Sequence, residues 1–243
     1  MITLLKKEIS EFLSSLIGYI VIGVFLTAIG LFMWVFPGAN NIIESGYATL
    51  DTLFVVAPWV YMFLIPAITM KSFSEEKRTG TLELLLTKPL KDWQIILSKY
   101  LAGLLLVGVA LIPTLVYYFT VYNLALPVGN IDVGAIWGSY IGLFFLAGGF
   151  VSIGLFSSAI SDNQIVAFII AVFLSFFFYT GFDQITSFAL FGTLDSYIIR
   201  LGINSHYLSL SRGVIDSRDV LYFFSLVAFF LLLTHLKLAS RKW

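Results

Sequence analysis

The chain has 243 residues, of which 59% are hydrophobic, 17% aromatic and 12% charged, and its mean hydropathy is +0.97. A soluble domain carries about 25% charged residues, so this composition excludes one and points to a membrane protein. The 14 Lys and Arg balance 14 Asp and Glu, so the total charge says nothing about acidic partners; no nucleic-acid partner is expected. The absence of cysteine rules out disulfides, thiolate catalysis and Cys-based metal sites.

The first 15 residues predict an amphipathic helix. Ile2, Leu5, Ile9, Phe12, Leu13 and Leu16 fall on one face at i, i+3, i+4 spacing, while Lys6, Lys7, Ser10 and Glu11 cover the other and Glu8 flanks it. Such a helix lies in a membrane interface before the chain turns inward.

Six apolar runs free of Asp, Glu, Lys and Arg follow: 16–36, 53–70, 100–122, 133–160, 165–182 and 220–234. At about 1.5 Å per residue, runs near 20 residues cross a hydrocarbon core about 30 Å thick. The expected fold class is therefore all-α and polytopic: six transmembrane helices, an interfacial N-terminal helix and a short helix between spans two and three, in a single membrane domain over 1–243. The first run is too long for a signal-peptide core, its leading segment contains Glu8 and Glu11, and no small-residue cleavage site follows, so it reads as a retained span. With no charge in any run, there is no sign of an ion or proton pathway.

The cations set the orientation. Lys6, Lys7, Lys71, Lys77, Arg78, Lys88, Lys91, Lys99, Lys237, Arg241 and Lys242 fall on one side, and only Arg200, Arg212 and Arg218 on the other. By the positive-inside rule both termini and residues 71–99 are cytoplasmic. Trp34, Trp59, Trp93, Trp137, Tyr140 and Tyr222 sit near span ends, as in aromatic belts. Pro113 predicts a kink in span three. Gly138 and Gly142 in span four have small-xxx-small spacing, which admits close approach by a neighbouring helix or a second copy. The turn 161–164 makes spans four and five antiparallel neighbours.

The second connection, 71–92, is the informative polar stretch. Ser72 and Glu75 have capping-box spacing, Glu75 and Arg78 have pairing distance at i, i+3, and Gly80 breaks the helix before a leucine-rich piece ends at Pro89. The outer connection, 183–219, spans 37 residues, too long for an inert link. Leu194, Tyr197, Ile198 and Leu201 share one helical face with Thr193 as a candidate N-cap. Asp216 and Asp219 stand where the last span begins, favoured by the helix dipole.

Residues 75–83, EEKRTGTLE, followed by Leu85, Leu86, Thr87 and Pro89, resemble the cytoplasmic loop of type-2 ABC transporter permeases. The resemblance extends over the chain in its N-terminal helix, six spans and paired termini. The segment Ser205-His206 and residues 211–223 are similar to the gliding-motility-associated (GldF-type) branch. The resemblance implies a coupling helix docking on a separate ATP-binding subunit, through Glu75, Glu76, Arg78, Gly80, Thr81, Glu83, Leu85 and Leu86, with Leu82 packing beside them. It also implies assembly with a second permease copy or a homologous permease, an auxiliary membrane protein with a large periplasmic domain, and a bacterial inner membrane. Tyr197, Ile198, Arg212 and Asp216 are the expected outer gate or partner site. The chain has no G-x-x-x-x-G-K-[ST] loop, so no cofactor is expected on it and ATP belongs to the partner. His206 and His235 lie far apart, and no nucleophile, base or metal constellation suggests an enzyme. A non-transporting scaffold or assembly factor is the alternative to a permease that drives export or mechanical work.

Overall fold

In hydrocarbon a backbone amide has no water to bond, so apolar runs of this length must satisfy their own N–H and C=O groups as helices. The computed structural model describes residues 1–38, 40–82, 91–188 and 192–240, and every regular element among them is helical. Six helices among the described residues are long and apolar enough to cross a membrane: Gly18–Val35, Asp51–Arg78, Asp92–Leu124, Val133–Ile160, Gln164–Ser187 and Ser217–Ala239.

The chain opens with α1 (Ile2–Leu13). Ser15 then caps α2 (Leu16–Gly30) by accepting from the Gly18 N–H, so span one starts as a new helix. A π-helical turn, Leu31–Val35, completes it. A short helix, α3 (Ile42–Ser45), is capped by Asn41 and precedes α4 (Asp51–Thr69). Next comes α5 (Lys71–Arg78), which follows α4 after only Met70. Span three is α6 (Asp92–Leu111) and α7 (Leu115–Leu124), joined by the 3-10 turn Ile112–Thr114 at Pro113. Span four is α8 (Val133–Ile160), capped by Asp132. Span five is α9 (Gln164–Phe176), capped by Asn163 and extended by the π turn Phe177–Gly181 and α10 (Phe182–Ser187). The outer connection carries α11 (Asp195–Ile199) and α12 (Ile203–Leu210), and α13 (Ser217–Ala239) is span six, capped by Asp216.

The central element is α8. It packs against α4, α5, α6, α9, α12 and α13, and Leu143, Leu146, Ala147, Phe150, Val151 and Ile153 on it are fully buried. The peripheral spans turn apolar side chains outward, among them Ile20 and Val24 on α2, Ile169 and Phe173 on α9, and Leu221 and Phe224 on α13. These faces suit lipid, which is as apolar as they are.

Several expectations are corrected. The small-residue pair Gly138 and Gly142 is already occupied: a Cβ on Gly138 would meet the Gly213 carbonyl oxygen at 2.4 Å, and one on Gly142 would meet Leu210 Cβ at 2.7 Å. The groove therefore receives α12 and the turn after it, leaving no room there for a second copy. Ser72 caps nothing, because the chain reaches α5 already helical from α4. No ion pair joins Glu75 to Arg78 among the described residues. Tyr140 is buried and bonds Thr114 rather than facing lipid. On α1, Leu4 is the buried residue while Ile2 is exposed, and α11 is preceded by Leu194, not Thr193. Gly80, by contrast, ends the helix as expected, with a left-handed φ of 71° that favours glycine.

Candidate functional site

The bundle has a basic end. There Ser98 Oγ donates to the Met1 carbonyl at 3.4 Å, Trp93 stacks on His235 with centroids 4.8 Å apart, and α5 projects from α4. The start of α1, the start of α6 and the end of α13 thus meet beside α5.

Three anchors hold α5. The first is Lys99 on α6, whose side chain is 1% exposed and whose Nζ lies 2.8 Å from both Glu8 Oε1 on α1 and Glu76 Oε1 on α5. The Phe73 ring covers the same ammonium, 5.3 Å from Nζ. A buried ammonium is tolerated only when it is paired and hydrogen-bonded, and two carboxylates from different helices meet that need. The second anchor is Ser158 on α8. Its hydroxyl accepts the Phe73 and Ser74 N–H groups at 2.9 and 3.1 Å and donates to the Met70 carbonyl at 2.9 Å. It thereby fills the gap in the backbone ladder where α4 gives way to α5. The third is Lys77, which donates to the Ala159 carbonyl and lies 3.5 Å from Asp162 Oδ1. Ala159 stands in the last turn of α8, where the free carbonyls of a helix end attract a cation.

These anchors sort the expected interface residues. Glu76 turns inward to Lys99 and Leu82 is buried, so both brace the helix from behind. Arg78, Thr79, Gly80 and Thr81 form an exposed tip, stiffened by the Thr79–Thr81 hydroxyl contact at 2.9 Å and the Thr79 hydroxyl bond to the Glu75 carbonyl at 2.8 Å. Glu83, Leu85, Leu86 and the leucine-rich piece up to Pro89 lie outside the described residues. A half-polar cavity of ≈ 470 Å³ runs between α1 and α4, α5 and α6, lined among others by Glu11, Phe12, Thr69 and Glu75.

At the opposite end the chain folds back into the bundle. On α12, Tyr207 is 2% exposed, and its hydroxyl donates to the Phe54 carbonyl at 2.7 Å. That carbonyl is available because the residue four positions on is Pro58, which has no N–H to offer it. Burial pushes the Tyr207 phenol well above its usual range, with Tyr179 and Tyr61 adding to the effect, so it stays a neutral donor. The four residues expected here behave differently. Tyr197 and Arg212 are exposed, Ile198 is half-buried, and Asp216 caps α13 through the Arg218 N–H.

The sequence profile of the ABC-2 family of transporter proteins matches residues 2–234, nearly the whole chain. The chain belongs to that family. A search among curated proteins found no match. An ABC-2 permease is the transmembrane component of an ABC transporter, with no ATPase site of its own and an ATP-binding partner. Within this permease, Lys99, Glu8, Ser158, Lys77 and Tyr207 escaped the sequence reading. Two signals pointed to them: Lys99 closes the turn begun by Ile95 and Ile96, which are both buried, and Pro58 frees a carbonyl inside a span.

Proposed function

We propose that this permease couples ATP hydrolysis by a separate subunit to export or mechanical work, and that α5 with its exposed tip is where that subunit pushes. The reading rests on one observation: α5 is tied at once to α1, α6 and α8 by Lys99, Ser158 and Lys77. A displacement at the tip must then move spans three and four together. The basic end is cytoplasmic in this reading, because eleven of the 14 Lys and Arg fall in the terminal segments and the second connection of the sequence. Glu75, Arg78, Gly80 and Thr81 touch the ATPase, joined by Glu83, Leu85 and Leu86, while Glu76 and Leu82 transmit.

The same reading gives the opposite end two roles. There α12 closes the outer mouth, with Tyr207 seated in the notch that Pro58 leaves. Tyr197 and Arg212 face outward beside it, with Ile198 half-buried next to Tyr197, toward an auxiliary membrane protein or the lipid headgroups. A second permease copy lies against the apolar groove of ≈ 680 Å³ between α2, α4 and α9, lined by Ile20, Val24, Trp59, Phe63 and Phe168. The similarity of Ser205-His206 and residues 211–223 to gliding-motility permeases makes a motility machine the setting we favour.

The test is purification of the full chain from its native membranes, followed by cross-linking from a cysteine at Thr81 and at Arg78. Cross-links to the ATPase nucleotide domain support the coupling role. A stable membrane complex that never contains an ATPase would make the chain a scaffold instead.

A further inference from the structure

The cavity of ≈ 470 Å³ between α1, α4, α5 and α6 falls within the about 300–1,000 Å³ of small-ligand sites. Its character changes with depth. Along α6 the lining descends from Lys99 to Leu106, about 10 Å at about 1.5 Å per residue. The charged residues belong to α1, to α5 and to Lys99 at the basic end, whereas Ala67, Ile68, Ala102 and Leu106 line the part further into the bundle. A site that is polar at the level of an interfacial helix and apolar below it has the layering of a bilayer leaflet.

Most of the polar groups around the cavity are already engaged. Lys7 pairs with Glu11, and Lys99 with Glu8 and Glu76. The hydroxyls of Ser15, Thr69, Thr79 and Thr81 all have partners. Among the described residues, the lining side chains left without a hydrogen bond or ion pair are Lys71, Ser72 and Glu75, all half-buried on α5. Their spacing at i, i+1 and i+4 sets Lys71 and Glu75 on one face, one turn and about 6 Å apart along the helix. A half-buried charge gains from a partner, and one cation beside one anion matches a zwitterion. The ion triad favours an ammonium at the Glu75 end, because Lys99 offsets only one of the two carboxylates on it and Glu76 Oε2 accepts no hydrogen bond. A carboxylate calls for N–H donors, which a primary ammonium has and a quaternary one lacks. A quaternary ammonium would seek aromatic faces instead, and among the described residues Phe12 is the one aromatic ring in the lining.

We propose that this cavity holds the headgroup of an ethanolamine phospholipid drawn from the leaflet at the basic end. The phosphate meets Lys71 and the Ser72 hydroxyl, and the ammonium donates to Glu75. The start of one acyl chain runs over Ala67, Ile68 and Leu106 and continues into the bilayer. The lipid thereby fills the space between α1 and α5 and becomes part of the support of α5. Glu75 also belongs to the ATPase contact proposed above, but a carboxylate accepts from several donors at once. The lipid site stands on the membrane fold alone, whether or not α5 meets an ATPase.

The experiment places the full chain in nanodiscs of ethanolamine, choline and glycerol phospholipids in equal parts and reads the retained lipids by native mass spectrometry. One ethanolamine lipid should stay bound, favoured about tenfold over the choline lipid, the size of one charge-assisted hydrogen bond. Glu75→Gln should erase that preference. Lys71→Gln should lower retention of all three lipids, since all carry the phosphate. Arg212→Gln at the opposite end should change neither. Because Lys71 and Glu75 have no partner within the described protein, the melting temperature should hold in both variants. In the unaltered chain, an ethanolamine lipid with a diazirine at the top of one acyl chain should label residues 67–69 and 102–106. Retention in proportion to the mixture, a preference for the anionic glycerol lipid, or an ethanolamine preference that survives Glu75→Gln overturns the site. So does labelling confined to other parts of the unaltered chain, a result that no folding defect in a variant can obscure.

Discussion

At the basic end, α5 leaves the bundle held by charge: an ammonium at 1% exposure between two carboxylates from other helices. At the opposite end, α12 enters the bundle held mainly by near-neutral bonds and close backbone packing, such as Tyr207 on the Phe54 carbonyl and Gly213 against Gly138. The difference is one of tolerance. A buried ion triad is costly to leave incomplete, so its members move as one body. A phenol on a spare carbonyl contributes little by itself and can be broken and remade. The first arrangement suits a lever and the second a closure.

The sharpest way to break this contrast is Lys99→Met. It strands two carboxylates, Glu8 and Glu76, that are mostly buried, and should cost about 3–5 kcal/mol in unfolding experiments in detergent. Adding Glu8→Gln and Glu76→Gln should restore stability without restoring coupled ATPase activity. A Lys99→Met chain that melts like the unaltered one would show that the triad carries no load.

Ser158→Ala comes next. It removes the acceptor for two N–H groups at the α4–α5 junction and should cost about 1–3 kcal/mol. Faster hydrogen exchange confined to residues 71–78 is the expected signature. Exchange spread evenly over the bundle would mean general destabilisation instead.

At the closure, Tyr207→Phe should cost only about 0.5–1.5 kcal/mol. The mechanism makes a stricter demand. Pro58→Ala supplies the N–H that Phe54 lacks, so the cost of Tyr207→Phe should shrink in that background. A double-mutant cycle reads the coupling directly, and additive effects would separate Tyr207 from the proline notch.

The smallest effect belongs to a surface control. Lys7 and Glu11 stand 3.8 Å apart, both well exposed, and Lys7→Ala should change stability by no more than about 0.5 kcal/mol. A loss as large as that of Lys99→Met would mean that exposure does not separate the two ion pairs.

Much of the architecture was legible in the chain. The 133–160 run became α8 with the same bounds, Pro113 marked the 3-10 turn in span three, and Gly80 ended α5. These features depend on local chemistry: hydrocarbon demands helices, proline lacks an N–H, and glycine accepts a positive φ. The site was less legible because its residues act across the sequence. Lys99 meets a glutamate 91 positions before it and another 23 positions before it, and Ser158 serves amides 84 and 85 positions earlier. Periodicity placed Glu8 beside the polar face of α1, and the family resemblance set Glu76 among the residues meant for a partner. Whether a charge on such a helix looks out or in depends on what packs beside it.

By itself, then, the sequence determined the solvent this protein folds in, the number of its spans and a few of the helix breaks, such as those at Gly80 and Pro113, since all of these follow from neighbours a few residues apart. Only the tertiary structure decided that Gly138 and Gly142 admit α12, that Lys99 is clamped between α1 and α5, and that Tyr207 fills the place left by Pro58. Those outcomes depend on which surfaces meet. A lone cation, glycine or spare carbonyl has the same local chemistry whatever finally lies against it.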